Sequence, residues 1–478
     1  MKAGYTESYL KFAKMEMELD LFNQTIDGVY FWDRVRTQIY SKIRKQTGEW
    51  KVGGTSKSSS EKDSGYLSKG KTAIVESAKI LDSSQDCAII PRQKDILFKA
   101  SSTKRRHEID GVYWDRMVDP IADSLSYSAY SLESHSSIQK YCSGDVYTKS
   151  IYNYDVIDLL SAIRSELVNY NPIGRDEKPI LQQIEKKLRE AFDVDIDVVG
   201  YVREELKSRH SKKPVIDHFL NRVDPSAVLI GWNPSRSTLI ESAQERNIPV
   251  IELQHGVDSV NKTEISYPYG VNGTLTFPDI YFSWGYKWAE RPDFPIDDVR
   301  IVGWPFLDCM KTMRNQRKST GTKRILIMSQ PTNIDMLIDI ATTIKNESEF
   351  EVTYRLHPKN RANWKSNFPE LDNSDIEVDD GNISLYDQFG RVDYQLGTTS
   401  TALFEGLQFN LPTLVYETDS YVHELLSDID IVTSFTSSED VIRTLTTYDG
   451  VIPDCDMDGL FRPNPIDNIE RELNDIIG

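Results

Sequence analysis

A cluster of positive side chains stands at the end of one predicted strand in the C-terminal half of the sequence. The segment YRLHPKNR, residues 354–361, carries His357 together with Arg355, Lys359 and Arg361. The chain as a whole is acidic, with a formal net charge of −18. A cluster of cations in such a chain therefore indicates a specific role for this segment. Because guanidinium, ammonium and imidazole groups bind phosphate oxygens through charge-assisted hydrogen bonds, the segment predicts a phosphate site. The alternative is that some of these side chains are ordinary charges on the solvent-exposed surface.

Hydroxyl side chains form a second cluster, which begins 41 residues after His357. The segment LGTTSTALFEGL, residues 396–407, places them between a predicted strand and a predicted helix. Free backbone N–H groups and the helix dipole favour an anion at such a helix start. The predicted phosphate-binding loop consists of Gly397, Thr398, Thr399, Ser400 and Thr401. The alternative is that Thr399 or Ser400 only caps the helix.

The two clusters are predicted to lie at one edge of the same sheet. In a doubly wound sheet the loops that follow parallel strands emerge together at the carboxyl edge. Ser329 and Gln330, which end the first strand of the second half, are predicted at this edge as well. The three loops together predict a cradle for a phosphate or diphosphate.

A histidine in the first half is the candidate for proton transfer. In VIELQHGVDS, His255 directly follows a predicted strand and precedes Gly256. An imidazole can take a proton from a hydroxyl group near neutral pH. If a carboxylate does this instead, Asp258 or Asp110 is the candidate. A histidine that only packs at a tight turn is the structural alternative.

Short apolar runs alternate with helical segments over most of the chain. SAVLIGW, STLIESAQERN and IPVIELQHG form a strand–helix–strand unit, and RILIMSQ, IDMLIDIATTIKN and FEVTYRLHP repeat it. Strands that are apolar throughout suit a parallel sheet buried on both faces. The pattern predicts an α/β fold with two Rossmann-like, doubly wound domains that face a cleft.

This pattern divides the chain into three predicted segments. Residues 1–72 are predicted to be a helical extension followed by a flexible linker rich in Gly, Ser and Lys. Residues 73–310 and 311–478 are predicted to be the two Rossmann-like domains. The charged stretch KTMRNQRKSTGT, which begins at residue 311, marks the boundary between them.

Composition argues against several classes of protein. The negative charge disfavours a protein that binds duplex nucleic acid. The four cysteines form no CxxC pair, and no His, Cys and Asp cluster indicates a metal site. No apolar run has the length of a signal core or a membrane span. We therefore expect a cytoplasmic protein without a metal or other cofactor. The basic segment 34–45 is the candidate for peripheral contact with the cytoplasmic face of a membrane, and a solvated helix face is the alternative.

These motifs resemble those of known transferases. The HP pair followed by a Ser/Thr cluster resembles the donor site of bacterial sialyltransferases and polysialyltransferases, in which these groups hold the phosphate of a CMP-sugar. GTTSTALFEGLQFNLPTLVYE is similar to the nucleotide-binding helix of GT-B glycosyltransferases, where a glutamate often meets the ribose, and Glu405 matches that position. Glycerophosphotransferases of teichoic-acid synthesis share the HP feature. They also carry a His-Gly pair that resembles His255–Gly256 and acts as the catalytic base.

The resemblance implies an inverting, metal-independent glycosyltransferase of the GT-B type. It would use a CMP- or UDP-sugar as donor and a glycan or a lipid-linked molecule as acceptor, in the synthesis of a surface polysaccharide or another glycan. Residues 73–310 would then form the acceptor domain and residues 311–478 the nucleotide-donor domain. Gly303, in VGWPFLD, resembles a strand-end turn of GT-B proteins and would let the backbone approach the donor.

Other functions stay open at the level of sequence. The carboxylate motif of sialyltransferases precedes HP, whereas DDG at 379–381 follows it here, so the role of base is not transferred to it. A glycerophosphotransferase that uses CDP-glycerol, an enzyme similar to UDP-sugar 2-epimerases, and a non-catalytic binding scaffold are the alternatives. GYLSKGKT, residues 65–72, fits the phosphate-loop pattern of NTPases, but no buried strand precedes it.

One short motif occurs twice. IDGVYFWDR spans residues 26–34 and IDGVYWDR spans residues 109–116. The match is too short and isolated for a repeat architecture. Two similar strand-edge or helix-entry segments are the expectation.

Overall fold

The computed structural model describes most of the chain. The described residues are 5–49, 87–100, 105–134, 138, 142, 144–147, 150–231, 237–257, 262–267, 271, 276–289, 295–314, 322–330, 333–417, 423, 425–426, 429–447 and 457–478. The phosphate-loop match at 65–72 and the predicted linker beyond residue 49 lie outside them.

Strands and helices alternate along both halves of the chain. The strands are β1 Thr25–Ile26, β2 Val29–Tyr30, β3 Cys87–Ala88, β4 Ile96–Lys99, β5 Arg105–Ile109, β6 Val112–Asp115, β7 Ala129–Glu133, β8 Ile151–Asn153, β9 Ala227–Ile230, β10 Val250–Leu253, β11 Ile280–Ser283, β12 Asp298–Ile301, β13 Arg324–Met328, β14 Glu351–Arg355, β15 Glu377–Asp379, β16 Tyr394–Gly397, β17 Thr413–Tyr416 and β18 Val432–Phe435. The α-helices are Glu7–Glu18, Trp32–Gln46, Asp119–Ala122, Asp155–Leu167, Lys178–Phe192, Val198–Val223, Ser237–Gln244, Tyr286–Ala289, Pro305–Arg314, Ile334–Glu347, Trp364–Asn367, Pro369–Asp372, Leu385–Phe389, Thr401–Leu407, Ser438–Thr447 and Pro465–Ile477. Short 3-10 helices span Leu21–Asn23 and Pro358–Asn360.

Within the described residues, eight parallel strands form the sheet of the first domain, in the order β12-β11-β10-β9-β4-β7-β8-β3. From β4 the chain moves outward through β7 and β8, and it returns with β9 on the other side of β4. The strand order therefore reverses between β4 and β9. Ligands of open α/β sheets bind in the crevice beyond the carboxyl ends of strands at such a reversal.

In the part of the second half that the structure describes, six parallel strands have the order β15-β14-β13-β16-β17-β18. Numbered within the domain this is 3-2-1-4-5-6, the order of the dinucleotide-binding Rossmann sheet. Its reversal lies between β13 and β16, which pair through Ile325↔Tyr394 and Ile327↔Leu396. The α/β class and the two Rossmann-like domains that the sequence predicts are confirmed.

Aromatic side chains from both halves of the chain pack together between the sheets. The rings of Trp284 and Trp304 stack with their centroids 4.2 Å apart, and Phe461 lies 5.7 Å from Trp284. Phe306 meets Tyr386 edge to face at 5.6 Å. Such pairs stabilise an interface beyond the area that they bury. The cluster fixes the two domains with their carboxyl edges toward each other, which is the GT-B arrangement.

The motif that occurs twice in the sequence forms a β-hairpin at both of its positions. β1 pairs with β2, and β5 pairs with β6, both antiparallel. The two turn residues are Asp-Gly in each hairpin, with φ of 51° and 72° at 27–28 and of 51° and 84° at 110–111. Asp-Gly with two positive φ angles is the preferred sequence of a type I′ hairpin turn. A Trp-Asp-Arg triplet follows the first hairpin and ends at Arg34, whereas in the second copy Trp114 and Asp115 belong to β6 and Arg116 follows it.

The N-terminal helices are part of the first domain's core. Their buried side chains pack with those of the helices Lys178–Phe192 and Val198–Val223. Glu16 and Arg36 form a buried ion pair between the two N-terminal helices, with 2.7 Å between Arg36 Nε and Glu16 Oε1. Trp32 Nε1 donates to the same carboxylate oxygen at 2.7 Å. The pair therefore sets how one N-terminal helix sits on the other.

The last helix, Pro465–Ile477, returns to the first domain. Ile469 and Leu473 belong to the core cluster beneath β4, β9 and β11. Asn468 Nδ2 donates to the Val302 carbonyl at 3.0 Å, and Arg300 Nη1 lies 2.9 Å from Asp475 Oδ2. The segment 311–478 thus contains the second sheet but ends against the first one.

None of the helices in the described parts of the chain has both the length and the apolar character needed to cross a bilayer.

Glu16→Ala should lower the free energy of unfolding by about 3 kcal/mol, because it leaves the Arg36 guanidinium buried without its carboxylate. The matched control is Glu7→Ala on the same helix, where the pair with Lys11 is exposed and the change should be less than about 0.5 kcal/mol. Urea denaturation followed by circular dichroism measures both. Equal effects of the two substitutions would show that the buried pair does not tie the extension to the domain.

Candidate functional site

The carboxyl edge of the second sheet brings the predicted donor loops together. Ser329 follows β13 and Thr398 follows β16, on either side of the strand reversal. His357 follows β14, which is the neighbour of β13 on its other side. Since adjacent strands lie about 4.8 Å apart, the His357 loop and the Thr398 loop are separated by about two strand spacings. Gln330 lies beside Ser329, half-buried at the same edge.

The ring of His357 is oriented by its own turn. His357 caps the 3-10 helix Pro358–Asn360, and its Nδ1 accepts from the backbone N–H of Lys359 at 3.2 Å. In the neutral ring an accepting Nδ1 leaves the proton on Nε2. The Nε2–H is therefore the group that could donate to a phosphate. Lys359 is exposed at the same turn.

Two of the three arginine and lysine side chains in this segment fasten it to the next loop. Arg355 Nη1 donates to Asp379 Oδ2 and, at 2.9 Å, to the Ile383 carbonyl. The guanidinium of Arg361 occupies the space beside Gly381, whose φ is +99° and where a Cβ atom would collide with it. Arg355 and Arg361 thus hold the DDG loop against the HP loop. The DDG loop is a turn at the end of β15.

Thr398 is the most deeply buried of the predicted phosphate-binding hydroxyls. Its side chain has no exposed surface, and its Oγ1 has no hydrogen-bond partner among the described residues. Ser400 caps the helix Thr401–Leu407, with its Oγ 3.3 Å from the N–H of Ala402. Thr399 and Thr401 are half-buried beside it, and Gly397 ends β16. The helix has only seven residues, so its dipole is a modest part of any attraction for an anion.

Glu405 lies in the interface between the domains. Its side chain is almost fully buried, and Tyr386 donates its hydroxyl to Oε2 at 2.6 Å. Burial, followed by the neighbouring carboxylate of Glu405, raises the pKa of Tyr386 well above its ordinary value. Oε1 lies 3.9 Å from Arg116 Nη1 of the first domain. Glu405, which is predicted to contact the ribose, is therefore paired with Arg116 of the first domain in this structure.

His255 lies beside a buried carboxylate on the opposite side of the cleft. Its Nδ1 is 3.9 Å from Glu252 Oε1, and the Glu252 side chain is 1% exposed against 15% for His255. Glu252 belongs to β10, next to β9 and the reversal of the first sheet. Gln254 fixes the turn, because its Oε1 accepts from the Trp284 N–H at 2.8 Å and its Nε2 donates to the Gly256 carbonyl at 3.2 Å. A buried carboxylate in this position can stabilise a protonated imidazole.

Sequence reasoning did not single out Arg116, which lies between the two sides. Its Nη2 is 3.5 Å from the carbonyl of His255, and its guanidinium lies 5.5 Å from the ring centroid of Trp304. With Glu405 at 3.9 Å, Arg116 links the predicted base and the predicted donor helix. The signal in the sequence was the second copy of the hairpin motif, which ends at this arginine.

Close packing of the chain around position 303 requires a glycine there. Its φ is +93°, and a Cβ atom there would come within 2.2 Å of the Arg462 carbonyl oxygen and 2.9 Å of Pro465. The close approach that this glycine permits is therefore to the chain entering the last helix. Contact with a donor stays a prediction for this residue.

The carboxylates named as alternative bases are not placed beside His255 by any described contact. Asp110 lies in the exposed turn of the hairpin β5–β6. Asp258 lies outside the described residues. Where the structure describes the chain, no group of three or more His, Cys, Asp or Glu side chains is placed to hold a metal ion.

Thr398→Val should raise the free energy of unfolding by about 1 kcal/mol, because it removes a buried hydroxyl to which no described residue is hydrogen-bonded. The matched control is Thr413→Val on the adjacent strand. The Thr413 hydroxyl accepts from Gln395 Nε2 at 2.7 Å and donates to the Leu411 carbonyl at 2.8 Å. The control should therefore be destabilised by about 1–3 kcal/mol. Chemical denaturation of both variants provides the measurement. A loss of stability in Thr398→Val equal to that of the control would mean that this hydroxyl serves the fold.

No protein-family model and no curated protein matches the chain. Among solved structures it is similar to a UDP-GlcNAc 2-epimerase from Methanocaldococcus jannaschii, with 10% identity, coverage of 80% of this chain and 99% of that chain, and a TM-score of 0.47. A putative UDP-N-acetylglucosamine 2-epimerase from Listeria monocytogenes gives 12% identity, 80% and 96% coverage, and a TM-score of 0.49. MurG from Acinetobacter baumannii gives 10% identity, 81% and 99% coverage, and a TM-score of 0.44. These TM-scores lie below 0.5, so the fold is established by the order and direction of the strands in the two sheets.

Proposed function

We propose that the protein is an inverting, metal-independent glycosyltransferase that uses a nucleotide-activated sugar to build a glycan. The observation that supports the proposal is that His255 lies 3.9 Å from the buried carboxylate of Glu252, and that Arg116 reaches from the His255 carbonyl to Glu405 of the second domain. A base on one side of the cleft and phosphate-binding groups on the other are what group transfer from a nucleotide requires.

The donor binds in the crevice beyond β13 and β16. His357 donates from Nε2 to the phosphate of the leaving nucleotide, and the Thr398 hydroxyl takes a phosphate oxygen as its partner. Glu405 binds the ribose hydroxyls. These groups stabilise the negative charge that grows on the phosphate as the bond to the sugar breaks.

The acceptor binds on the side of the first domain. Its hydroxyl oxygen attacks the anomeric carbon from the face opposite to the nucleotide, and the bond between that carbon and the phosphate oxygen breaks. The electron pair leaves with the nucleotide, while His255 takes the proton of the acceptor hydroxyl. Glu252 stabilises the resulting imidazolium. Exclusion of water from the closed cleft protects the donor from hydrolysis.

The purified protein should transfer a sugar when it is incubated with CMP- or UDP-linked donors and glycan or lipid-linked acceptors, and EDTA should leave the rate unchanged. Mass spectrometry of the products separates the candidate functions. A transferred sugar supports the proposal. A transferred glycerophosphate from CDP-glycerol, or an epimerised UDP-sugar, would replace it with another activity. Binding without any product would assign a scaffold.

His255→Ala should lower kcat by about 10²–10⁴-fold, because the acceptor hydroxyl loses its base, while KM for the donor changes little. His218→Ala is the control, since His218 is exposed on the helix Val198–Val223. Initial rates over a range of donor concentrations give kcat and KM for both variants. Full activity of His255→Ala would remove the imidazole from the mechanism.

A further inference from the structure

Arg116 is a largely buried cation whose charge is only loosely compensated among the described residues. Its side chain is 14% exposed, and its Nε has no hydrogen-bond partner among the described residues. Among the described residues, the carboxylate oxygen paired with Arg116 is Glu405 Oε1, 3.9 Å from Nη1, whereas a charge-assisted hydrogen bond spans about 2.7–2.9 Å. A buried guanidinium normally meets an anion with its planar fork, through two parallel hydrogen bonds. The guanidinium of Arg116 therefore has N–H groups that could donate hydrogen bonds to another anion.

The backbone around Arg116 is fixed. Asp115 Oδ1 accepts from the N–H of Met117 at 2.8 Å, and the N–H of Asp115 donates to Asp119 at 2.8 Å. Gly231, at the end of β9, packs against Met117, which places this segment at the strand reversal of the first sheet. From this anchored backbone the long side chain of Arg116 extends toward Glu405 of the second domain.

We propose that Arg116 is a ligand of the donor's phosphate, contributed by the first domain, and that it exchanges Glu405 for this phosphate when the donor binds. The inference rests on the proposed function, since it assigns a further residue to the same donor site. In the empty cleft the two side chains neutralise each other at 3.9 Å. In the occupied cleft the ribose hydroxyls bind Glu405 and the phosphate binds Arg116.

The position of Glu405 favours a phosphate over other anions. Glu405 lies on the helix that follows β16, at the edge where the nucleotide is proposed to bind. In a nucleotide the ribose and the first phosphate are adjacent, so one ligand can take both partners of the pair. In addition, the chain carries a net charge of −18, so binding of a phosphate depends on cations in direct contact. Arg116 supplies such a contact from the side of His255.

The experiment compares four variants with the wild type by isothermal titration calorimetry. The variants are Arg116→Gln, Arg116→Lys, Glu405→Gln and the control Arg246→Gln. Arg246 pairs with Asp217 at 2.9 Å and is also partly exposed, but it lies in the turn after the helix Ser237–Gln244 and binds the helix Val198–Val223. The probes are inorganic pyrophosphate and the nucleotide–nucleoside pairs UDP and uridine, and CMP and cytidine. Thermal unfolding of each variant reports its folding.

Arg116→Gln should weaken the nucleotide and pyrophosphate about ten- to a hundredfold and leave the nucleoside unchanged. Arg116→Lys should lie between this variant and the wild type, because it keeps the charge without the fork. Glu405→Gln should weaken the binding of the nucleoside, because the ribose loses its carboxylate. The same variant should bind pyrophosphate about three- to tenfold more tightly, because the carboxylate that competes for Arg116 is gone. Arg246→Gln should match the wild type.

The opposite signs distinguish a phosphate ligand from a residue that only holds the domains together, because loss of a structural pair would weaken every probe in both variants. Unchanged nucleotide affinity in a folded Arg116→Gln, or no gain for pyrophosphate in Glu405→Gln, overturns the inference and leaves the proposed function standing. Absence of nucleotide binding to the wild-type protein overturns both.

Discussion

The convergence of two sets of parallel strand ends is the constraint on which the rest of the molecule depends. Among the described residues the strands of each sheet are parallel and end at one edge, and the strand order of each sheet reverses once, which is where ligands bind in open α/β sheets. Arg116 from one crevice reaches Glu405 from the other. Chemistry between two bound molecules needs such an arrangement, because each domain can hold one of them and the reacting atoms meet between.

Both ends of the chain support this geometry from outside the cleft. The N-terminal helices extend the core of the first domain through their buried ion pair, and the last helix packs on the same sheet after the chain has completed the second. Between the domains the ring of Phe306 meets that of Tyr386 and the ring of Trp288 meets that of Phe404, so the interface there is apolar. Apolar packing thus joins the domains, while Arg116 and Glu405 meet through long side chains.

Patterns confined to one segment were predictable from the sequence, and contacts between distant segments were not. The apolar runs around β9, β10, β13 and β14 predicted parallel strands, and they placed His255 and His357 at strand ends. The pairing of Arg355 with Asp379 was not visible, because a cation that binds a phosphate and one that binds a neighbouring loop look alike in sequence. Arg116 was missed because its contact with Glu405 joins two segments that are far apart in the sequence. The return of the last helix to the first sheet depends on tertiary packing alone.

A crystal structure of the protein with a bound nucleotide tests the central claim most directly. The account predicts the phosphate in the crevice beyond β13 and β16, within hydrogen-bond distance of His357 and Thr398, and a separation of Arg116 from Glu405 greater than the present 3.9 Å. A nucleotide bound elsewhere on the molecule, or a crevice that stays empty at saturating nucleotide, would contradict it.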